Sequence, residues 1–261
     1  MMINSRVLKP ITLLVLLLSS TTACAEQSGA DKSTPDVASV SSVQVYPGFE
    51  LGNLLADPQP VSSQAEVGPL LVRSWYAAVE VSAGGSKVRQ PIDNCKQYLK
   101  VRDHHLQPVK EFERAAYQEF GLMCLAARDI IRAEPATENY LQDFKLDQSA
   151  PQQLPKQLAL VIAENEQQRM MKNDRLQFWS QVEAAKLTSS KDHHAVYAVD
   201  GAEQTLSLLA SGDFNRDGIN DLLLMSRDRV SGGSYSGMRM WLITRSDDQA
   251  RIRIIKTYQA L

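Results

Sequence analysis

Between residues 213 and 221 the chain reads Asp-Phe-Asn-Arg-Asp-Gly-Ile-Asn-Asp, placing oxygen-bearing side chains at the first, third, fifth and ninth positions and glycine at the sixth. Calcium takes about 6 to 8 hard oxygen ligands at roughly 2.3–2.6 Å, and a short chain segment surrounds the ion only by turning sharply. Alternation turns Asp213, Asn215 and Asp217 inward and Phe214 and Arg216 outward. Gly218 tolerates the positive φ expected of the turn, Ile219 offers its backbone carbonyl, and Asp221 closes the shell; Asn220 is given no ligand role. The same residues have a metal-free reading, because aspartate and asparagine satisfy local amides in ordinary turns. Three carboxylates so close together repel one another unless a cation neutralises them, and Arg216 and Arg227 offset part of that repulsion. Ca2+ is therefore the expected cofactor, with a structural role ahead of a regulatory or catalytic one.

The twelfth position is Leu224 rather than the bidentate glutamate of an EF-hand, and the flanks are strand-like, so a helix-loop-helix sensor is disfavoured. Residues 212–224, GDFNRDGINDLLL, resemble the calcium loops of FG-GAP or VCBS repeats, the blades of integrin-type β-propellers. That resemblance implies ligation by Asp213, Asn215, Asp217, the Ile219 carbonyl and Asp221 in a loop between adjacent strands. It extends weakly through GGSYSG to MRMWLITR. A propeller needs several blades, each with its own sheet, whereas the motif occurs once here, so the loop is accepted and the propeller rejected. The segment is also similar to proteobacterial envelope proteins carrying one such loop near the C-terminus.

Other groups offer less. His104-His105 and His193-His194 are adjacent pairs without the spacing of a standard zinc site. Asp192 beside His193 makes no triad, since no serine here has a nucleophile-elbow context. Gly232 to Gly237 lacks the lysine and the strand-to-helix setting of a phosphate loop and reads as a hairpin connection carrying Tyr235. Trp75, Trp179 and Trp241 read first as core residues.

Arg6 and Lys9 precede eight largely apolar residues, 11–18, too few to span roughly 30 Å of hydrocarbon, which makes residues 1–25 an export signal. Ala23 and Ala25 fit release after Ala25. Alternatively, Thr22-Ala23-Cys24 resembles a bacterial lipobox, although Thr21 stands where leucine is usual; that resemblance implies a lipid on Cys24 and, with Ala25 in place of aspartate, sorting to the outer membrane. Residues 26–45 form a polar, flexible tether under either reading. An outer-membrane lipoprotein facing the periplasm is favoured, a soluble periplasmic protein is the alternative, and a membrane is touched only through Cys24. In an oxidising compartment Cys95 and Cys124 are left to form a disulfide.

In 261 residues, 44% apolar, there is material for a sizeable core. Lysine and arginine number 28 against 30 acids, so nothing gathers nucleic-acid phosphates, and cutting before Cys24 makes the balance 26 against 30. Residues 46–67 read as an irregular lead-in, and 70–81 fit strand or helix. Apolar spacing of three and four predicts helices over 91–101 and 109–133, joined as a hairpin by the disulfide. Residues 158–186 predict two short helices or one projecting helix. Runs at 195–199, 205–210, 222–225, 238–244 and 252–257 predict an antiparallel meander with one buried face. The expectation is an α+β fold, a single domain over 46–261, with a helical part at about 91–186 and a sheet part at about 194–261. Its function reads as calcium-stabilised structural support or interaction with an envelope protein or polymer. The alternative is an envelope-polymer hydrolase whose carboxylates converge only in the fold.

Overall fold

Residues 206–210 and 222–225 are almost wholly apolar, a pattern suited to strands covered on both faces. In the computed structural model, which describes residues 41–84, 86–233 and 235–260, they lie at the centre of an antiparallel sheet. In chain order, the first half supplies β1 (Gln44–Val45), α1 (Gln64–Leu70), β2 (Val79–Ser82), β3 (Gln90–Ile92), α2 (Cys95–Val101), β4 (Gln107–Pro108) and α3 (Arg114–Arg132). The second half supplies α4 (Ala150–Gln153), α5 (Glu164–Lys172), β5 (Lys186–Lys191), β6 (His194–Val199), β7 (Ala202–Gly212), β8 (Asp221–Val230), β9 (Ser236–Thr244) and β10 (Arg253–Tyr258). The main sheet runs β10-β9-β8-β7-β6-β5, with β1 added to β7, and β3-β2-β4 form a small second sheet. The fold is therefore α+β with a C-terminal antiparallel sheet. Residues 41–45, which the sequence assigns to the tether, join it: Ser41 bridges Ala136, and Gln44 and Val45 pair with Ser211 and Ala210. The export signal and Cys24 lie outside the described residues.

The expectation of one buried face is corrected. In β8 the six residues from Asp221 to Ser226 are all buried, whichever face they take. Leu209, Leu223, Met225, Met240 and Leu242 pack into one core, while Leu208, Leu222, Leu224, Trp241 and Ile243 pack into a second. The helical layer over the first core contains Trp75, stacked on Phe120 with ring centroids 4.1 Å apart. Trp179 and Trp241 belong to the second core.

α3 buries ten of its residues, from Tyr117 to Ile130. It begins later than expected, because residues 111–113 form a tighter turn that leaves Phe112 out in solvent. Likewise Ile92 belongs to β3, and α2 starts only at Cys95, after Asn94 caps it through the Gln97 amide. Cys95 and Cys124 are bonded, with Cα atoms 5.1 Å apart, so the two helical segments are clamped as the sequence implied. Gly121 has a packing reason inside α3: a methyl group there would stand 2.6 Å from Tyr98 Oη and 2.9 Å from Ala260 Cβ. Tyr98 Oη donates to the Ala260 carbonyl at 2.8 Å, tying α2 to the chain beyond β10. At the same interface burial opposes ionisation of Asp129, but hydrogen bonds from Arg128, Lys256 and Tyr258 hold its carboxyl below the ordinary value.

The second core has little regular cover. Of residues 158–186 only α5 is α-helical, flanked by short tight turns at Lys156–Leu158 and Trp179–Gln181. Good helix formers fill this stretch, but its apolar residues do not continue as one stripe, and packing rather than propensity stabilises most protein helices. Sheet side chains hold the irregular layer instead. Arg239 donates to the carbonyls of Gln157, Leu158 and Ala159, Gln204 also reaches the Leu158 carbonyl, and Tyr197 Oη donates to that of Asp147 at 2.8 Å. β5 was invisible as a strand, being KLTSSK, a polar edge flanked by lysines.

Two outcomes follow for stability. Alanine is the better helix former by about 1 kcal/mol, yet Gly121→Ala is expected to lose a net ~1 to 3 kcal/mol through overpacking against Tyr98, read as an earlier midpoint in urea. Asp129 has a depressed folded value, so its contribution is present above the unfolded value of about 3.9 and disappears as pH falls through the folded one. Asp129→Asn should lower the melting temperature near neutral pH and flatten the acid limb of its pH profile below about pH 4; parallel limbs for both proteins would contradict this origin.

Candidate metal centre

The pairing of Gly212 with Asp221 ends the β7–β8 ladder and leaves residues 213–220 as the connecting loop. Four of the five predicted ligands thus sit in one hairpin connection, and Asp221 opens the strand that follows it. Asp213 organises it: Oδ1 accepts from the amides of Arg216 at 2.6 Å and Asp217 at 3.2 Å, and Oδ2 from that of Gly218 at 2.7 Å. Asn215 Oδ1 accepts from the Asp217 amide at 3.1 Å, and Asp217 Oδ1 from the Ile219 amide at 2.9 Å. Asn215 Nδ2 also donates to Asp217 Oδ2 at 2.8 Å. Asp221 Oδ2 reaches back to the Phe214 amide at 3.1 Å. These are the bonds of an acidic turn. They leave coordinating capacity, since a carboxylate offers about four lone-pair sites over its two oxygens.

The turn is braced from outside. After α3 the chain passes alongside the loop: Asp213 and Glu134 exchange backbone hydrogen bonds at 2.9 Å, and the Gly218 carbonyl accepts from the Thr137 amide at 2.8 Å and the Glu138 amide at 3.1 Å. Thr137 Oγ1 adds a third bond to that carbonyl at 2.9 Å, and Asn220 donates its amide to Glu138 at 2.8 Å. The Ile219 carbonyl accepts none of these. Gly218 has φ +82° and Arg216 φ +66°. The Arg216 side chain lies outside, paired with exposed Glu134 at 3.0 Å, while Phe214 packs against the first core.

Asp221 is the electrostatic outlier. It is fully buried, and burial above all, reinforced by the charges of Asp217 and Asp213, pushes its carboxyl up to about 6. Neither its Oδ1 nor the neighbouring Thr244 Oγ1 closes a hydrogen bond of ordinary geometry. A buried carboxylate whose Oδ1 has only the Thr244 hydroxyl beside it, with Asp217 and Asp213 close enough to raise its value, fits a hard divalent cation. Among the described residues no three histidine, cysteine, aspartate or glutamate side chains gather as a ready-made metal group. Asp213, Asp217 and Asp221 are thus not drawn around one point in this structure, and Asn215 and Asp217 are exposed.

The other sequence candidates stand apart. His104 and His105 lie on the tight turn after α2, with His105 in the left-handed region. His193 stacks on Tyr46 at 3.9 Å, and His194 Nδ1 lies 3.0 Å from Ser207 Oγ. Asp192 is exposed at φ +49°. Tyr235 is exposed in the β8–β9 connection, as its sequence setting implies. A buried ionic group escaped sequence reasoning: Asp228 is fully buried and pairs with Arg239 at 2.9 Å, while Glu183 accepts from the Leu160 amide and Trp179 Nε1 at 2.7 Å each. Burial pushes both carboxyls up and Arg239 opposes the shift. The interruption of an apolar strand by Arg239 was its one sequence signal. Its donors are spent on Asp228 and three loop carbonyls, so this group tethers layers.

No family model, no curated protein and no solved structure matches the chain.

Gly218 and Gly201 separate strain from contact. Both have positive φ, but only at Gly218 would an added methyl group meet an atom, Thr137 Oγ1 at 3.0 Å. Left-handed backbone costs a non-glycine residue about 1–2 kcal/mol, so Gly201→Ala should show that cost alone and Gly218→Ala a larger one. Urea unfolding of both variants without metal checks the order.

Proposed function

We propose that this chain is a calcium-braced protein of the bacterial envelope, working through structural support or interaction with an envelope protein or polymer rather than through chemistry. The observation that carries the proposal is Asp221: a fully buried carboxylate whose Oδ1 has only the Thr244 hydroxyl beside it, at the foot of a loop bearing two more carboxylates. Asp213, Asn215, Asp217, the Ile219 carbonyl and Asp221 would hold the ion. When bound, Ca2+ supplies a fixed double positive charge that relieves the repulsion among the three carboxylates. The residues do the rest: Asp213 gathers the loop amides, Gly218 turns the chain, and Thr137 and Glu138 hold the Gly218 carbonyl. Bracing is the favoured role because the loop joins β7 and β8, the strands buried on both faces, to the segment leaving α3. The envelope assignment rests on the residue pattern 6–25 and on the disulfide. The anchor at Cys24 is part of the same proposal.

The test is thermal unfolding of metal-stripped protein titrated with calcium. An ion bound only by the folded chain stabilises it by about 2.7 kcal/mol when its free concentration is 100 times the dissociation constant, enough to raise the melting temperature by several degrees. Asp217→Ala should abolish this gain and Arg216→Ala should largely keep it. Identical curves with and without millimolar calcium, together with no binding heat, would reduce the loop to an acidic turn.

A further inference from the structure

We infer that a cavity between the C-terminal end of α2 and α3 is a site for a phosphoryl group. It has a volume of about 270 Å³ and is lined by cations from three separate elements: Arg102 just after α2, Arg128 on α3 and Lys256 on β10. The aromatic hydroxyl groups of Tyr98 and Tyr117 complete the wall.

The sequence spacing shows how these groups converge. Tyr98 and Arg102 follow Cys95 by three and seven residues, and Tyr117 and Arg128 stand seven before and four after Cys124, so each set shares a helix face with its cysteine. The Cys95–Cys124 bond presses those two faces together. Gly121, one turn before Cys124, leaves room for the Tyr98 ring, whose hydroxyl is then fixed on the Ala260 carbonyl. The helix positions that make the clamp are thus the ones that line the cavity.

Each arginine is aimed by a carboxylate held at one edge only. Arg102 meets Asp103 through Nε at 2.9 Å and Arg128 meets Asp129 through Nε at 2.8 Å. Among the described residues the terminal nitrogens of both guanidinium groups meet no protein acceptor, and neither does the Tyr117 hydroxyl. Asp129 is saturated, since its other oxygen takes Lys256 and Tyr258. Asp103 is 82% exposed and also lines the cavity. Among the described residues that line the cavity or pair with its cations, three cations stand against two carboxylates. Burial pushes the Tyr98 phenol well above its ordinary value, and the charges of Arg102 and Arg128 pull against that shift, as expected of cations facing its hydroxyl.

The donor geometry selects the class of anion. A planar carboxylate is filled by one guanidinium fork, whereas a tetrahedral phosphoryl group presents three oxygens and can engage two forks and a hydroxyl together. The group can belong to a soluble phosphate or to a phospholipid headgroup, and both present the same oxygens.

Calorimetric titration of the protein with inorganic phosphate, with acetate as a competitor, is run beside flotation with phosphatidylglycerol vesicles and neutral phosphatidylcholine vesicles. Arg102→Gln and Arg128→Gln should each weaken binding about tenfold or more, the usual effect of losing a charged hydrogen-bond donor. Asp103→Asn should strengthen it, and Arg73→Gln, in a remote exposed pair, should leave it unchanged. Phosphate binding with this pattern supports a soluble ligand; binding confined to phosphatidylglycerol vesicles with the same pattern supports a headgroup. If Arg128→Gln unfolds the protein, Arg102→Gln decides alone, because its pair is solvent-exposed and contributes little to stability. The inference is overturned if neither probe binds, if the arginine substitutions leave binding unchanged, or if acetate competes as well as phosphate does.

Discussion

Burial of β7 and β8 on both faces governs this molecule. Their alternate side chains enter two different cores, so each face of the sheet must be covered by something that also satisfies its own backbone polar groups. On one side helices do this, α3 chief among them with α1 and α2, because a helix pairs its own amides and carbonyls. On the other side the cover is mostly irregular chain, which leaves carbonyls that must find donors elsewhere. Arg239, Gln204 and Tyr197 provide them from the strands, and Lys156 Nζ provides more within the layer, on the carbonyls of Met171 and Asn173. The polar residues inside this sheet therefore substitute for the hydrogen bonds that a second helical layer would have made internally.

The hairpin connection at 213–220 lies where the two covers meet. α3 ends at Arg132, Glu134 and Glu138 run along the loop, and Leu141, Phe144 and Leu146 then enter the second core. The position explains why Asp213 is buried although it belongs to a turn, and why so many loop amides are held by side-chain oxygens. A turn in open water would have no need of such extensive internal pairing.

What could be read from the residues follows the same division. α3 was legible because its apolar positions step by three and four without interruption, and the central strands because their runs are short and bounded by turn residues. The disulfide was legible from cysteine parity and the helix faces. The second face of the sheet was not, because a continuous apolar run fits one-sided and two-sided burial alike. Over 158–186, where two short helices or one projecting helix were expected, only α5 forms: glutamate, glutamine and lysine favour a helix locally, but the outcome depended on carbonyl partners some 80 residues away, as with Arg239 and Leu158. In the candidate centre the oxygen spacing was plain, but the brace from Thr137 and Glu138 was unreadable, being a contact between distant segments that carry no motif. The cations around Tyr98 were equally hidden, for each is an ordinary charged residue until the clamp brings the helix faces together.

The irregular cover has a consequence for the order in which the chain can acquire structure. A helix such as α3 forms from contacts close in sequence, but the segment from Leu141 to Trp179 has only the short α4 and α5 of that kind. Its partners Tyr197, Gln204 and Arg239 come later in the chain. A chain that emerges from its N-terminal end must therefore carry Leu141, Phe144, Leu146 and Leu154 uncovered until the strands arrive. Contacts of this sequence separation slow folding and expose apolar surface meanwhile. The same polar tethers that make the finished layer secure thus make it the last part to be protected.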